Sequence, residues 1–366
     1  MISTRQINFL IFFLLLLPLD SSCRESMIDL GAINHDFVLE AKRIHIPGYP
    51  YTFNPSIVRW NDSFLMTFRI HDGKAFSVKP IGLIWLDKNF NLKSKPYILE
   101  IRNQKKNDFF VHIDSKITEQ DPRLININNR LYMVYNNFQI GRMLIAEIHF
   151  DNDSIFLDNP ECLLYFENAN PNRIEKNWVP FEYNNQLLLS YSISPHKIFL
   201  PIEGTESCTT YAYSPNNISW NWGEIRGGTP ALLVDGKYLG FFHSSKCMSS
   251  NYSNGENIHH YFMGAYTFEP HRPFNITHIS PNPIICDDFY TGEDYAGKTW
   301  KPLRVIFPMG FVFDDDYIWI SYGKQDFECW IVKIDKNKLL NSLEPIQLVR
   351  TKQFRTKSHK KARYSR

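Results

Sequence analysis

Five places along this chain of 366 residues carry side chains that could do chemistry, each beside a proline or at the end of an apolar run. Arg69 and His71 lie in "FRIHDG", Asp121 and Arg123 in "EQDPRL", and Glu175, Lys176, Asn177 and Trp178 in "EKNWVPF". "RGGTP" brings Arg226, Gly227 and Gly228, with His243 closing the run that follows, and "YGKQD" brings Tyr322, Lys324 and Asp326. Gathered in one pocket, a lone carboxylate among several cations is the arrangement of a general acid facing an anion-binding patch. The cations suit phosphate, and the Trp178 ring offers a face to a sugar. Attack by water on a glycosidic bond instead requires a second carboxylate across the bond, for which Asp316, Asp326 and Glu175 are the candidates. Each residue also has an ordinary use. Asp121 and Arg123 can pair on the surface, Arg69 can pair with Asp72, and Lys176 can be a solvated loop residue. Trp178 and His243 can fill core, and the paired glycines can serve a tight turn. Their recurrence at equivalent places in repeated units weighs against coincidence. No P-loop, Rossmann glycine pattern or G-x-S-x-G elbow is present, and no Cys/His spacing suggests a metal site, so no cofactor is expected.

The elements that would position these residues repeat. The stretches starting at Asn54, Asp121, Val179, Thr229 and Phe307 each contain a proline (55, 122, 180, 230, 308), a short apolar strand, a turn and a second apolar strand ending in aromatics. The turns are Asn61-Asp62, Asn128-Asn129, Asn184-Asn185, Asp235-Gly236 and Asp314-Asp315-Asp316. Asn and Asp suit the left-handed backbone that tight hairpins require. A single hairpin cannot bury both faces, and five copies predict a five-bladed β-propeller, an all-β fold of radially packed sheets. "GLIWLDKNFNLKS" (82–94) and "MLIAEIHFDNDSIFL" (143–157) read as outer strands. The alternative, a two-sheet sandwich, leaves the proline-led hairpins unexplained. In a propeller the residues just before each inner strand reach the funnel at one end, so Asn54, Asp121, Trp178, Thr229 and Phe307 are expected to converge.

Composition fits this architecture. Apolar residues are 43% of the chain and aromatics 15%, ample for a core, with strand- and turn-forming residues common. The net charge of +2 hides an asymmetry: Arg350–Arg366 carries eight Lys or Arg and no acid, leaving a body near −6. An acidic body does not suit a nucleic-acid binder. The tail 350–366 reads as a solvated, disordered end, with contact to an anionic surface as its alternative use. Residues 1–23 read as a cleaved signal peptide, with Arg5 before the apolar run Ile7–Leu19, which is too short to span a bilayer comfortably. Asp20, three before Cys23, argues against a lipoprotein signal. The mature chain is therefore expected in the secretory pathway, secreted or lumenal, without a membrane span, with the propeller over 24–349. One or two disulfides among Cys162, Cys208, Cys247, Cys286 and Cys329 are compatible with that setting, as are five N-x-S/T sequons at Asn61, Asn152, Asn217, Asn251 and Asn275.

In "QDPR", "EKNWVPF", "GGTP", the aromatic–His end of the fourth hairpin, "YFMGAYTFE" and "VIFPMGFVFDDDYIWISYGKQD" the chain resembles the glycoside hydrolase family 130 group of β-mannoside phosphorylases and β-1,2-mannosyltransferases. The blocks run in family order from about 54 to 330. The resemblance implies a five-bladed propeller and an inverting transfer or phosphorolysis of β-linked mannosyl residues. It implies that Asp121 is the general acid, its proton reaching the glycosidic oxygen in phosphorylases by way of a sugar hydroxyl. It implies phosphate or donor binding by Arg69, Arg123, Lys176 and His243, and sugar contacts by Asn177, Trp178 and Asp326, with Asn54 among the funnel residues facing the sugar. The family's Glu-Asp-Pro-Arg is here Gln120-Asp121-Pro122-Arg123, which alters the surroundings of Asp121. The signal peptide adds a second departure, because free phosphate is chiefly intracellular; a lumenal enzyme would use a nucleotide sugar or water. The expected partners are an oligosaccharide and phosphate or a nucleotide sugar. An exported hydrolase with a second carboxylate as base is the first alternative, and a non-catalytic glycan-binding propeller the second.

Overall fold

A computed structural model describes residues 27–33, 35–71, 80–103, 119–151, 154–215, 217–291 and 303–346. The expected signal peptide, the basic tail, Asp72 and the sequon at Asn152 lie outside these residues.

Five antiparallel sheets form the blades. Blade 1 runs outward through Thr52–Trp60, Ser63–Ile70, Ile81–Leu86 and Tyr97–Ile98. Blade 2 runs through Glu119–Ile127, Arg130–Asn137, Arg142–Asp151 and Ser154–Cys162, with Glu100–Arg102 added in parallel at its outer edge. Blade 3 comprises Val179–Tyr183, Gln186–Ile193, His196–Ile202 and Ser207–Ser214. In blade 4 the inner edge is split between Arg226–Gly227 and Leu232–Val234, both paired to Lys237–Met248, followed by Ile258–Phe268 and Ile276–Ile279. Blade 5 comprises Ile306–Asp314, Tyr317–Lys324 and Glu328–Asp335, and its outer strand is Val38–Arg43 from the N-terminal side. That strand joins the first and last parts of the described residues and closes the ring, so the sheets are a propeller and not a sandwich.

The five hairpins form where their turns were read. Asn61, Asn128, Asn129, Asn184, Asn185, Asp235 and Asp315 all take positive φ, between 48° and 60°, a backbone that Asn and Asp tolerate better than most side chains. The stretch 143–157 supplies the two outer strands of blade 2 as expected, whereas 82–94 supplies one. There the chain turns at Asp87, whose Oδ1 accepts from the Asn89 and Asn91 amides at 2.8 and 2.9 Å, and the short outer strand follows at Tyr97–Ile98.

One apolar cluster fills each of the five junctions between neighbouring blades. Leu65 and Leu83 meet Leu124 and Met133 between blades 1 and 2. Trp178, Leu189 and Phe199 meet Val134 and Met143 between blades 2 and 3. Phe181 meets Phe268 and Phe274 between 3 and 4, Phe241 meets Phe311 and Ile320 between 4 and 5, and Phe64 meets Trp319 and Ile331 between 5 and 1. Burying each such side chain contributes ~1.5–3 kcal/mol. Near the axis, polar stitches join the inner strands: Ser321 Oγ donates to the Pro55 carbonyl (2.6 Å), and the Leu124 amide donates to Ser56 Oγ (3.0 Å).

The disulfide expectation is not met, since Cys162, Cys208, Cys247, Cys286 and Cys329 are all free thiols. Two sequon asparagines, Asn251 and Asn275, have amides engaged by Asp29 and Glu269, while Asn61 and Asn217 are exposed. Among the described residues, no helix is long and apolar enough to cross a membrane.

Candidate active site

Two bulges prepare the site. In blades 1 and 2 the ladder between the two inner strands slips at Phe53/Ser56 and at Gln120/Arg123. A bulge inserts an extra residue and re-aims its side chain. The inserted segments hold Asn54-Pro55 and Asp121-Pro122, and Asn54 and Asp121 both have positive φ, 49° and 53°. A residue before proline favours extended backbone, so surrounding contacts must hold this strained form.

Those contacts bring three side chains together. Asp121 Oδ1 accepts from Asn54 Nδ2 and from an Arg69 terminal nitrogen, each at 2.9 Å. Arg69 also lies over the Phe53 ring at 4.4 Å. Gly323 in blade 5 makes room for Asn54, because a Cβ there would stand 2.0 Å from Asn54 Oδ1. Burial pushes the Asp121 carboxyl up, but Arg69, Arg123, the Asn54 amide and Lys176 more than offset it. The carboxyl is held below the ordinary range, and Asp121 is a carboxylate at neutral pH.

Arg123 takes a different part from the anion ligand expected of it. It is fully buried, and its Nε donates to the Gly228 carbonyl at 2.6 Å. Its terminal nitrogens donate to the Asp121 carbonyl (3.1 Å), Asn177 Oδ1 (3.2 Å) and the Gly227 carbonyl (3.4 Å). The guanidinium is thus spent on protein acceptors from three blades, and burial lowers its pKa to about 10. Its charge reaches Asp121, but it offers no open fork to phosphate.

His243 also departs from expectation. It is buried, and its Nδ1 hydrogen-bonds the Gly227 carbonyl at 2.9 Å. Burial, followed by Arg123 and Arg226, pushes its pKa down to about 3, so the ring is neutral and supplies no positive charge. Trp178 is 1% exposed, enclosed by Phe166, Tyr191 and Phe199, and donates Nε1 to Glu175 Oε2 at 3.2 Å. It packs the junction of blades 2 and 3 instead of facing a sugar. Thr229 is wholly buried and bonded to the backbone of its own hairpin, and Phe307 lies against His243 at 4.4 Å. Of the five residues expected to converge, Asn54 and Asp121 meet, Phe307 lies against the buried His243, and Trp178 and Thr229 are buried in packing.

Asn177 and Lys176 stay at the pocket. Asn177 has positive φ (64°), and its carbonyl lies where a Cβ on Gly227 would be 2.1 Å away. Its Oδ1 is taken by Arg123, while its Nδ2 makes no hydrogen bond among the described residues. Lys176 is exposed, and its charge acts on Asp121, Asp326 and His243.

Asp326 sits in the turn that ends the second strand of blade 5, beside Gln325, both at positive φ. Burial raises its pKa to about 6; Arg69 and Lys176 pull it down, and the Asp121 charge pushes it up. Two carboxyl groups therefore share one electrostatic field with their proton affinities driven apart. The other candidates for a second carboxylate lie elsewhere: Asp316 is at the opposite tip of the blade 5 hairpin, and Glu175 is tied to Trp178.

Sequence reasoning placed Arg226 among the pocket candidates without a specific role, and did not single out Tyr261 or Glu119. Arg226 faces His243 across the ladder of blade 4 and acts on both His243 and Tyr261. Tyr261 lies nearly parallel to His243 and feels the Asp326 charge. Glu119 is buried two residues before Asp121, accepts from Asn137 Nδ2 at 3.1 Å, and has its pKa raised by burial to about 8. Only pairing across strands distinguishes Tyr261 and Glu119 from ordinary strand positions, and nothing in their local sequence does so.

A five-bladed propeller whose inner strands hold a carboxylate bonded by Arg69 and Asn54, with Lys176 in its field, is a scaffold able to set an acid beside an anion. The family profile described as β-1,4-mannooligosaccharide phosphorylase, glycoside hydrolase family 130, matches residues 32–345. The chain belongs to that family, a family of β-mannoside phosphorylases and hydrolases. Solved structures agree on the fold. A glycosyl hydrolase from Bacteroides ovatus has a TM-score of 0.57 at 13% identity, covering 86% of this chain and 94% of that one. A structure from work on family members that hydrolyse β-1,2 mannosidic linkages of Candida mannan has 0.56 at 14%, covering 87% and 93%. MPT-4, a mannose phosphorylase from Leishmania mexicana in complex with phosphate ion, has 0.52 at 13%, covering 87% and 93%. A search among curated proteins gives no match.

Proposed function

We propose that this protein transfers or phosphorolyses β-linked mannosyl residues with inversion, using Asp121 as general acid beside a small cationic patch. The observation that carries the reading is the double grip on Asp121 Oδ1 by Asn54 and Arg69, with Lys176 exposed in the same field. Family membership supports the substrate class, a β-mannoside, and phosphate as the attacking group.

In the free protein Asp121 is ionised, so it must gain a proton before it can act as an acid. An anion seated on Arg69 and Lys176 offsets two of the charges that depress its pKa, so that Asp121 takes up a proton from solvent as the attacking group arrives. A phosphate oxygen then attacks the anomeric carbon from the face opposite the leaving group. The C–O bond to the departing saccharide breaks, and the glycosidic oxygen receives the Asp121 proton through a sugar hydroxyl. The products are mannose 1-phosphate and a saccharide shorter by one unit. With a nucleotide sugar a saccharide hydroxyl would attack the anomeric carbon, its proton passing to the ionised Asp121, while the bond to the nucleoside diphosphate breaks and the same patch holds that departing group. The latter suits a lumenal protein, which the N-terminal segment suggests.

Hydrolysis is the second reading, and Asp326 favours it. A carboxyl near pH 6 in the field of Asp121 is suited to draw a proton from water. Incubation of the protein with β-manno-oligosaccharides, with and without phosphate, and separately with GDP-mannose, decides among these. Mannose 1-phosphate, free mannose or a lengthened saccharide marks phosphorolysis, hydrolysis or transfer in turn. No product in any arm overturns the enzymatic reading in favour of a glycan-binding propeller.

A further inference from the structure

A cleft of about 440 Å³ opens at the far end of blade 1, where the inner hairpin turns at Asn61-Asp62. It lies one strand's length, about 20 Å, from Asn54 and the Asp121 pocket. Its walls are aromatic. Trp60 and Trp85 line it, each half-buried, and Phe150 of blade 2 stacks on Trp60 with ring centres 6.0 Å apart and 19° between planes. Phe150 also meets Trp85 at 5.9 Å and is itself exposed. The loop after Trp85 folds back to hold it. The Lys93 amide donates to the Trp85 carbonyl (2.8 Å), and the Trp85 amide donates to Ser94 Oγ (3.2 Å). Lys93 Nζ then reaches across to Ser63 Oγ at 2.7 Å.

Three rings gathered from two blades make an apolar face that marks a site of contact. At its rim Asp62 and Lys93 carry opposite charges, which suits a neutral occupant. A pyranose meets these demands, because its C–H face is apolar and packs on a ring while its hydroxyls turn to the rim. The chain carries its own attachment point for one. Asn61-Asp62-Ser63 is an N-x-S sequon, and Asn61 is exposed and lines the cleft. Asn251 and Asn275, by contrast, turn their amide nitrogens to Asp29 and Glu269. N-linked glycans are added to the extended chain, so burial of Ser63 in the fold is no barrier. A tether at the edge of the cleft gives the sugar a high local concentration, and weak stacking then suffices to hold it.

We propose that Asn61 carries an N-linked glycan whose first sugars cover Trp60 and Trp85. The proposal rests on reading residues 1–23 as a signal peptide. It is tested on the full chain made in a eukaryotic secretory host, with glycopeptide mass spectrometry at Asn61 and at the exposed Asn217. Both are expected to be occupied. Peptide N-glycosidase is expected to release the glycan of the folded protein more slowly from Asn61 than from Asn217, and at equal rates after denaturation. Asn61→Gln is expected to lower the melting midpoint by about 2–4 °C in protein from that host, and to leave it unchanged in protein from bacteria, which add no such glycan. In a Trp85→Leu background the difference between hosts is expected to vanish. An empty Asn61 beside an occupied Asn217, equal release from the folded protein, or an Asn61→Gln shift that is the same in both hosts or persists with Trp85→Leu overturns the proposal. Absence of glycan at both positions overturns the signal-peptide reading, and the proposal with it.

Discussion

At the scale of single residues, the site is governed by two aspartates with opposite displacements. Cations and an amide hold Asp121 low, while burial holds Asp326 up at about 6. Below that value Asp326 is neutral and leaves the field of Arg69 and Lys176 open to an anion; above it, a negative charge competes. Sulfate keeps its charge throughout this range, so its affinity for the wild-type protein is expected to fall two- to tenfold as pH rises from 5 to 7. Asp326→Asn removes the step, and calorimetric titration at the two pH values checks it. His243 contributes nothing to such a profile, because a ring titrating near 3 is neutral on both sides of the window.

At the scale of elements, the bulges at Asn54 and Asp121 and the glycines opposite them set the geometry. Gly323→Ala puts a methyl group against Asn54 and displaces the amide from Asp121. Turnover should fall ~10–100-fold, with a stability cost of ~1–3 kcal/mol, as is usual for overpacking, read by kinetics alongside urea unfolding. Elements of this kind were unevenly legible. The five hairpins could be read because Asn and Asp at their tips and a proline at their start leave a local mark. The Asp-Pro-Arg stretch was read as a candidate site at the start of a strand, but the bulge that it occupies was not read. Trp178 misled because an aromatic beside Lys176 and Asn177 looks alike whether it faces a ligand or a blade junction, and only the packing of Phe166 and Phe199 decides. Arg123 misled for a related reason: the carbonyls of Gly227 and Gly228 that absorb its guanidinium lie more than one hundred residues away. The closing strand Val38–Arg43 was unread, since its partner is at the far end of the chain.

At the scale of the whole molecule, Arg123 ties the mouth of blade 2 to blades 3 and 4, and the N-terminal strand ties blade 5 shut. Replacing Arg123 by Ala leaves the Gly228 carbonyl and Asn177 Oδ1 without their donor. The expected loss is ~3–5 kcal/mol, as for breaking a buried charged network, and chemical denaturation followed by tryptophan fluorescence measures it. Closure of the ring also allows residues as distant in sequence as Arg69, Asp121, Lys176 and Asp326 to act on one another. The most direct measurement of that joint action is steady-state kinetics on a β-manno-oligosaccharide with phosphate for wild type and Asp121→Asn, with saccharide affinity measured in parallel. The account predicts a loss of turnover of ~10²–10⁴-fold with affinity nearly unchanged. Turnover by Asp121→Asn at close to the wild-type rate would contradict it.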